Sequence, residues 1–123
     1  KRSRDILTSF EITTPQFDAL LVLRDNGELT MGELCAKMFL ACSTATDLID
    51  RMERNGLIER VRDTTDRRVI RLRVLAKGNR VIDEVLDARR SYLESIFADL
   101  SYEEKERIIQ ALDQINHLMT RQL

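Results

Sequence analysis

Apolar positions in this chain recur with helical spacing, except over one short interval. Ala45, Leu48, Ile49 and Met52 fall at i, i+3, i+4 and i+7 within residues 42–55, one apolar stripe on a helix. The opposite side carries Ser43, Asp47, Asp50 and Arg54, flanked by Thr44, Thr46 and Arg51. Upstream, Thr14-Pro15 predicts a helix start, a hydroxyl cap followed by proline in the first position. Phe17, Leu20, Leu21 and Leu23 then face inward, and Asn26-Gly27 closes the helix with a left-handed glycine cap. Thr30 and Glu33 form a capping box that opens a shorter helix, with Leu34 and Met38 as core contacts and Cys35 or Ala36 near them. Phe39-Leu40-Ala41 is the turn into the helix at Cys42, and Asn55-Gly56 ends that helix.

The period then changes from 3.6 to 2. Residues 58–62 and 69–74 predict strands: Ile70, Leu72 and Val74 alternate with Val69, Arg71 and Arg73, giving one apolar and one largely basic face. Residues 63–68 are a polar turn between them. Helical spacing resumes over residues 79–100, with Ile82, Leu86, Leu93, Ile96 and Leu100 on the seam. A second capping box, Ser101 with Glu104, opens a last helix lined by Ile108, Leu112, Ile115 and Met119. Ile6, Leu7 and Phe10 form the inner face of a first helix; the chain starts at Lys1, so that helix is expected to begin upstream. The two C-terminal helices have no further core to cover them, which predicts packing against a second copy. The expected fold is mainly α with a small β-hairpin wing: a winged helix-turn-helix with long N- and C-terminal dimerisation helices. One domain is expected over residues 1–123, with the lobe at about 14–75 and the dimerisation helices at about 1–10 and 79–123.

Charge changes the picture only when mapped. The total of −1 argues against nucleic acid, but residues 51–80 hold ten Lys/Arg against four Asp/Glu, a net of +6. The blocks before and after carry −3 and −4. A basic wing beside a helix of short hydroxyls and long guanidiniums suits base edges and phosphates. Ser43, Thr44, Thr46, Arg51, Arg54, Arg67 and Arg68 are therefore candidate contacts to double-stranded DNA. Of the two wing arginines, one is expected to reach DNA and the other to pair with Asp66 or Asp50, fixing the wing to the helix. The bland alternative is a solvated helix face and a surface hairpin.

Other chemistry is thin. Cys35 and Cys42 lie seven residues apart outside any C-x-x-C pair, and His117 is the single histidine, so neither a disulfide framework nor a metal cluster is expected. A reducing cytoplasm and no cofactor follow as expectations. No run of about 18 apolar residues predicts a membrane span. No glycine-rich phosphate loop or nucleophile–histidine spacing supports catalysis.

Six fragments, taken in order, carry a resemblance. They are Ile12-Thr13-Thr14-Pro15-Gln16-Phe17; Leu29-Thr30 with Glu33-Leu34; Ser43-Thr44 with Thr46; Asp50-Arg51-Met52-Glu53; Gly56-Leu57-Ile58-Glu59-Arg60; and Asp66-Arg67-Arg68 with Gly78 ten residues on. In this order and spacing the chain resembles the MarR family of bacterial winged-helix transcription regulators over nearly its whole length. The resemblance implies a homodimer held by helices from both chain ends, bound to a pseudo-palindromic operator. It places one recognition helix in each major groove and a wing arginine in the adjacent minor groove. It also implies a regulator, most often a repressor, released by a signal such as a small phenolic or anionic effector, for which Tyr92 and Tyr102 are candidate pocket residues.

Three positions depart from the family pattern. Ala41 stands where a serine N-cap is usual, a loss of about 1 kcal/mol of capping unless Ser43 or a shifted start substitutes. Leu75 stands where threonine usually follows the second wing strand, so another cap is expected for the long helix. Asp47 occupies an often basic position; its carboxylate can accept from the exocyclic amine of cytosine and is expected to tune sequence choice. Two alternatives stay open. One is a winged-helix protein-interaction module that does not bind DNA, kept open by Asp47, Asp50 and the near-neutral total. The other is a thiol redox sensor through Cys42, at a helix start where the dipole lowers a thiol pKa. The family's peroxide sensors carry their cysteine in the first helix, and residues 1–14 contain none; Cys35 is assigned to the core.

Overall fold

Six helices and three strands follow one another in the computed structural model, which describes residues 2–121. They are α1 (Arg2–Ser9), α2 (Thr14–Asn26), β1 (Leu29–Thr30), α3 (Met31–Met38), α4 (Cys42–Arg54), β2 (Ile58–Arg62), β3 (Ile70–Val74), α5 (Ala76–Phe97) and α6 (Tyr102–Arg121). The chain forms two compact units, Lys1–Arg89 and Arg90–Leu123, with the boundary inside α5.

The first unit is built around side chains that the helical period put on one face. Phe17, Leu20 and Leu23 of α2 meet Leu34 of α3, with Ala45, Ile49 and Met52 of α4, Leu72 of β3, and Ile82 and Val85 of α5, all essentially solvent-free. Ile6 and Leu7 of α1 are buried as well. Leu21, Met38 and Leu48 are only half-buried and rim this core.

Several expectations are corrected by local chemistry. The cap of α2 is Thr13, not Thr14: its Oγ1 accepts from the Gln16 N–H (3.3 Å), and Gln16 Oε1 accepts from the Thr13 N–H (3.1 Å). The reciprocal box satisfies two donors, whereas Thr14 has Phe17 three residues on and nothing to reciprocate. Pro15 consequently sits one position deeper. Gly27 has φ 73° and ψ −150°, open to glycine but not the left-handed helical cap expected. Thr30 and Glu33 do form their box.

The wing is part of a three-stranded antiparallel sheet, ordered β1-β3-β2, and not a lone hairpin. β1 pairs Leu29 with Leu72 and Thr30 with Arg71, while β2 and β3 run from Ile58↔Val74 to Arg62↔Ile70. Two residues are too few to show a period, so β1 left no pattern of its own. β3 begins at Ile70, because Val69 closes the turn through its N–H to Asp66 O (3.0 Å). Only Leu72 on the apolar face of β3 is buried.

α5 starts three residues earlier than expected, its first helical bond running from Asn79 N–H to Leu75 O (3.0 Å). Gly78 therefore lies in the first turn of α5, pressed so closely on the chain after α4 that a Cβ would stand 2.4 Å from Leu57 O.

In the second unit, Ser101 Oγ accepts from Glu104 N–H (3.1 Å) and Glu104 Oε1 from Ser101 N–H (3.0 Å), the expected box. Leu93 and Ile96 of α5 and Ile109, Leu112, Ile115, Leu118 and Met119 of α6 are all exposed, and α6 buries no residue among those described. No helix is long and apolar enough to cross a membrane.

Candidate nucleic-acid interface

The surface with the right residue types is formed by α4 and the turn between β2 and β3. α4 begins at Cys42 after Ala41, which offers no side-chain cap, and neither Ser43 nor a shifted start replaces it. Ala41 therefore gives the first N–H groups of the helix no side-chain acceptor at its positive end, where an anion is favoured. Ser43, Thr44, Asp47, Arg51 and Arg54 all stand exposed on the side opposite Ala45, Ile49 and Met52. Thr46 is exposed too, but its hydroxyl donates back to Cys42 O (2.8 Å), leaving the oxygen lone pairs and the methyl group to face outward.

The wing turn is set by Asp63. Its Oδ2 accepts from the N–H groups of Thr65 (3.0 Å) and Asp66 (2.9 Å), and its Oδ1 from Arg71 Nε (3.1 Å). The backbone N–H of Asp66, then Arg71 and Thr65, hold the Asp63 carboxyl below the usual carboxylate range. Arg62 Nη1 donates to Arg67 O (2.9 Å), bracing the tip from the strand side. Arg67 and Arg68 project outward; Arg68 pairs with Asp66 at 3.2 Å while its side chain stays 91% exposed.

The expected pairing of a wing arginine is therefore met within the turn, but it does not fix the wing to α4. That link is made by Arg60 of β2. Its Nη2 donates to Asp50 Oδ1 (2.6 Å), its Nη1 to Glu53 Oε1, and its backbone N–H to Glu53 Oε2 (3.3 Å). The Asp50 bond, foremost among these, raises the Arg60 pKa above its ordinary value. Asp50 is thus a half-buried anchor and not part of the solvent row. Its signal in the sequence was an acidic pair, Asp50 and Glu53, at i and i+3 on α4, with an arginine, Arg60, inside β2. Lys77 is a second residue that sequence reasoning missed: its Nζ donates to Asn55 O (2.7 Å) at the negative end of α4.

Pairing also redistributes the basic block. Arg73 binds its cross-strand partner Glu59 and reaches Glu28 (3.6 Å), while Arg71 serves Asp63 and lies 3.9 Å from Glu33. The basic face of β3 is therefore neutralised where it lies. Among the described residues, Arg51, Arg54 and Arg67 have no side-chain hydrogen bond or ion pair.

Beside α4 runs an open groove of about 510 Å³, with Thr13, Gln16, Leu40, Thr44, Asp47 and Arg51 on its walls. Neither tyrosine singled out earlier lines it: Tyr102 is 75% exposed on α6 and Tyr92 half-buried on α5.

Comparison with known proteins agrees with this arrangement. The MarR family model matches residues 12–70, from just before the α2 cap to the start of β3. The HTH-type transcriptional regulator YsmB of Bacillus subtilis is 46% identical over 98% of this chain and 83% of its own length. The HTH-type transcriptional repressor MdtR of the same organism is 33% identical over 81% of this chain and 66% of its own. A MarR family protein from Bacillus stearothermophilus shares the fold with a TM-score of 0.83 and 50% identity, over 97% of this chain and 83% of that one. A helix-turn-helix with an arginine-tipped wing and this likeness together mean that the chain belongs to the MarR family of non-enzymatic, HTH-type transcriptional regulators.

Proposed function

We propose that the chain acts in the cytoplasm as a homodimeric repressor that binds a pseudo-palindromic operator and is released by a small molecule or other signal. The observation that carries the DNA reading is the set of unpaired arginines. Of the strand arginines, Arg60, Arg71 and Arg73 have acidic partners and Arg62 is tied to Arg67 O; Arg51, Arg54 and Arg67 have no side-chain partner among the described residues, and they lie on α4 and the wing tip. In this reading Ser43, Thr44 and Thr46 meet base edges, Arg51 and Arg54 phosphates, and Arg67 or Arg68 the minor groove. Asp47 tunes the choice of base. The exposed apolar row of the second unit, from Leu93 to Met119, is the surface that a second copy covers. The repressor assignment follows the name of MdtR, the relative that is 33% identical.

Selection from a random duplex pool tests this. The expected product is an inverted repeat with half-sites about one helical turn apart, bound with an affinity that falls steeply as salt rises. Failure to enrich any duplex, or binding indifferent to salt, would favour the protein-interaction module instead.

A further inference from the structure

The turn between α3 and α4 carries an aromatic ring that neither the backbone nor the core requires. Phe39 has φ 55° and ψ 41°, the left-handed conformation that a Cβ disfavours and glycine adopts freely. The backbone closes the turn by itself: the Phe39 N–H bonds to Ala36 O (3.4 Å) and the Leu40 N–H to Cys35 O (3.1 Å). The ring is 94% exposed, so it covers none of the core. Among the described residues of the first unit, the other exposed large apolar side chains are Ile70 and Leu86, and both are more than half covered. The row from Leu93 to Met119 belongs to the surface already assigned to a second copy. Glycine would serve this turn better, and strain kept at such a position points to a task outside the chain.

The surroundings of the turn narrow what the ring meets. Residues 39–41 lead directly into Cys42, Ser43 and Thr44 of α4. Leu40, next in the chain, lines the groove together with Thr44, Asp47 and Arg51, so the turn borders the side that α4 presents outward. A benzyl group has no hydrogen bond to offer a phosphate or a polar base edge. Among the groups that base pairs display in the major groove, the C5-methyl of thymine is the apolar one, and phenylalanine is among the side chains that pack on it.

We propose that Phe39 is a specificity-determining DNA contact, whose ring packs on the C5-methyl of a thymine beside the bases that Ser43 and Thr44 meet. The proposal rests on the DNA reading above and extends it. The hydroxyls of α4 read base edges by hydrogen bonds, and Phe39 adds an apolar reading at the border of the same surface. The two backbone bonds hold the residue that carries the ring, so the contact costs little backbone ordering on binding. With a ring from each protomer, the operator carries the thymine in both half-sites.

The probe is a duplex that the wild-type chain selects from a random pool. Each thymine in it is replaced singly by uracil, which removes the methyl group and keeps the hydrogen bonds of the base pair. Anisotropy is measured for wild type, Phe39→Gly and Phe39→Asn, both variants suited to a left-handed residue. At one thymine of each half-site, uracil is expected to weaken wild-type binding about fourfold, the ratio for one buried methyl-sized group. At that position both variants should bind the thymine and uracil duplexes alike, and more weakly than wild type binds the thymine duplex. Each protein is compared with itself on two duplexes, so a change in its stability cancels. Wild-type binding indifferent to uracil at every position would overturn the contact. Variants that lose affinity but keep the wild-type response to uracil would overturn the thymine assignment, and variants that bind every duplex as wild type does would remove Phe39 from the interface. A wild-type chain that binds no duplex is a separate result: the DNA reading itself falls, and this contact with it.

Discussion

Replacing Gly78 by alanine sets two effects of opposite sign against each other. In an open helix interior, Gly→Ala stabilises by about 0.8–1 kcal/mol, and less in a first turn. Against this, the new Cβ would stand 2.4 Å from Leu57 O, 2.8 Å from Val74 Cγ1 and 3.2 Å from Leu20 Cδ2. The two side-chain atoms can rotate away, but the carbonyl is backbone and accepts the Leu75 N–H at 2.9 Å. Reaching even 3.0 Å requires α5 to withdraw by about 0.6 Å, loosening that bond and the packing around Leu20. Overpacking of this kind costs about 1–3 kcal/mol, and a weakened hydrogen bond about 1 more. Gly78→Ala is therefore expected to destabilise by about 1–3 kcal/mol net, a fall in Tm of roughly 4 °C per kcal/mol for a chain of this size. Gly32, in the first turn of α3, is the matched control. Its added Cβ meets nothing within 4 Å and its φ is ordinary, so Gly32→Ala should gain up to about 0.5–1 kcal/mol. Thermal melts followed by circular dichroism, with urea titrations at 25 °C, measure both. A Gly78→Ala protein as stable as wild type would show that the contact with Leu57 relaxes freely and that the reasoning is wrong.

Two further substitutions probe the interface. Phe39→Gly removes an almost fully exposed ring from a left-handed position, so relief of backbone strain should win over the lost side chain and stabilise by about 0.5–1 kcal/mol; a lower Tm in the same melts would contradict this. Arg60→Ala leaves Asp50 and Glu53 without their shared partner and frees the wing from α4, at about 1–2 kcal/mol given that all three groups are partly exposed. Duplex affinity by anisotropy should fall more for Arg60→Ala than for Arg73→Ala, whose partners Glu59 and Glu28 lie off α4; equal losses would refute the bracing role.

Much of this molecule follows from interactions within a few residues, and those the sequence by itself determined. The stripe from Ala45 to Met52, the boxes at Thr30 and Ser101, the polar turn after Arg62 and the exposed row on α4 all depend on helix period, strand period or a bond between i and i+3. Even the misplaced start of α2 was a choice between two adjacent threonines, decided by which one had a glutamine three residues on. The tertiary structure alone decided the rest, because it depends on which distant groups come into contact. A two-residue β1 exists only because β3 lies beside it to accept its bonds. Seven arginines between Arg54 and Arg73 look alike in sequence, yet the fold gives Arg60, Arg71 and Arg73 acidic partners and leaves Arg54 and Arg67 to solvent. Gly78 reads as punctuation at the end of a wing, and only the approach of Leu57 shows that a side chain there has nowhere to go.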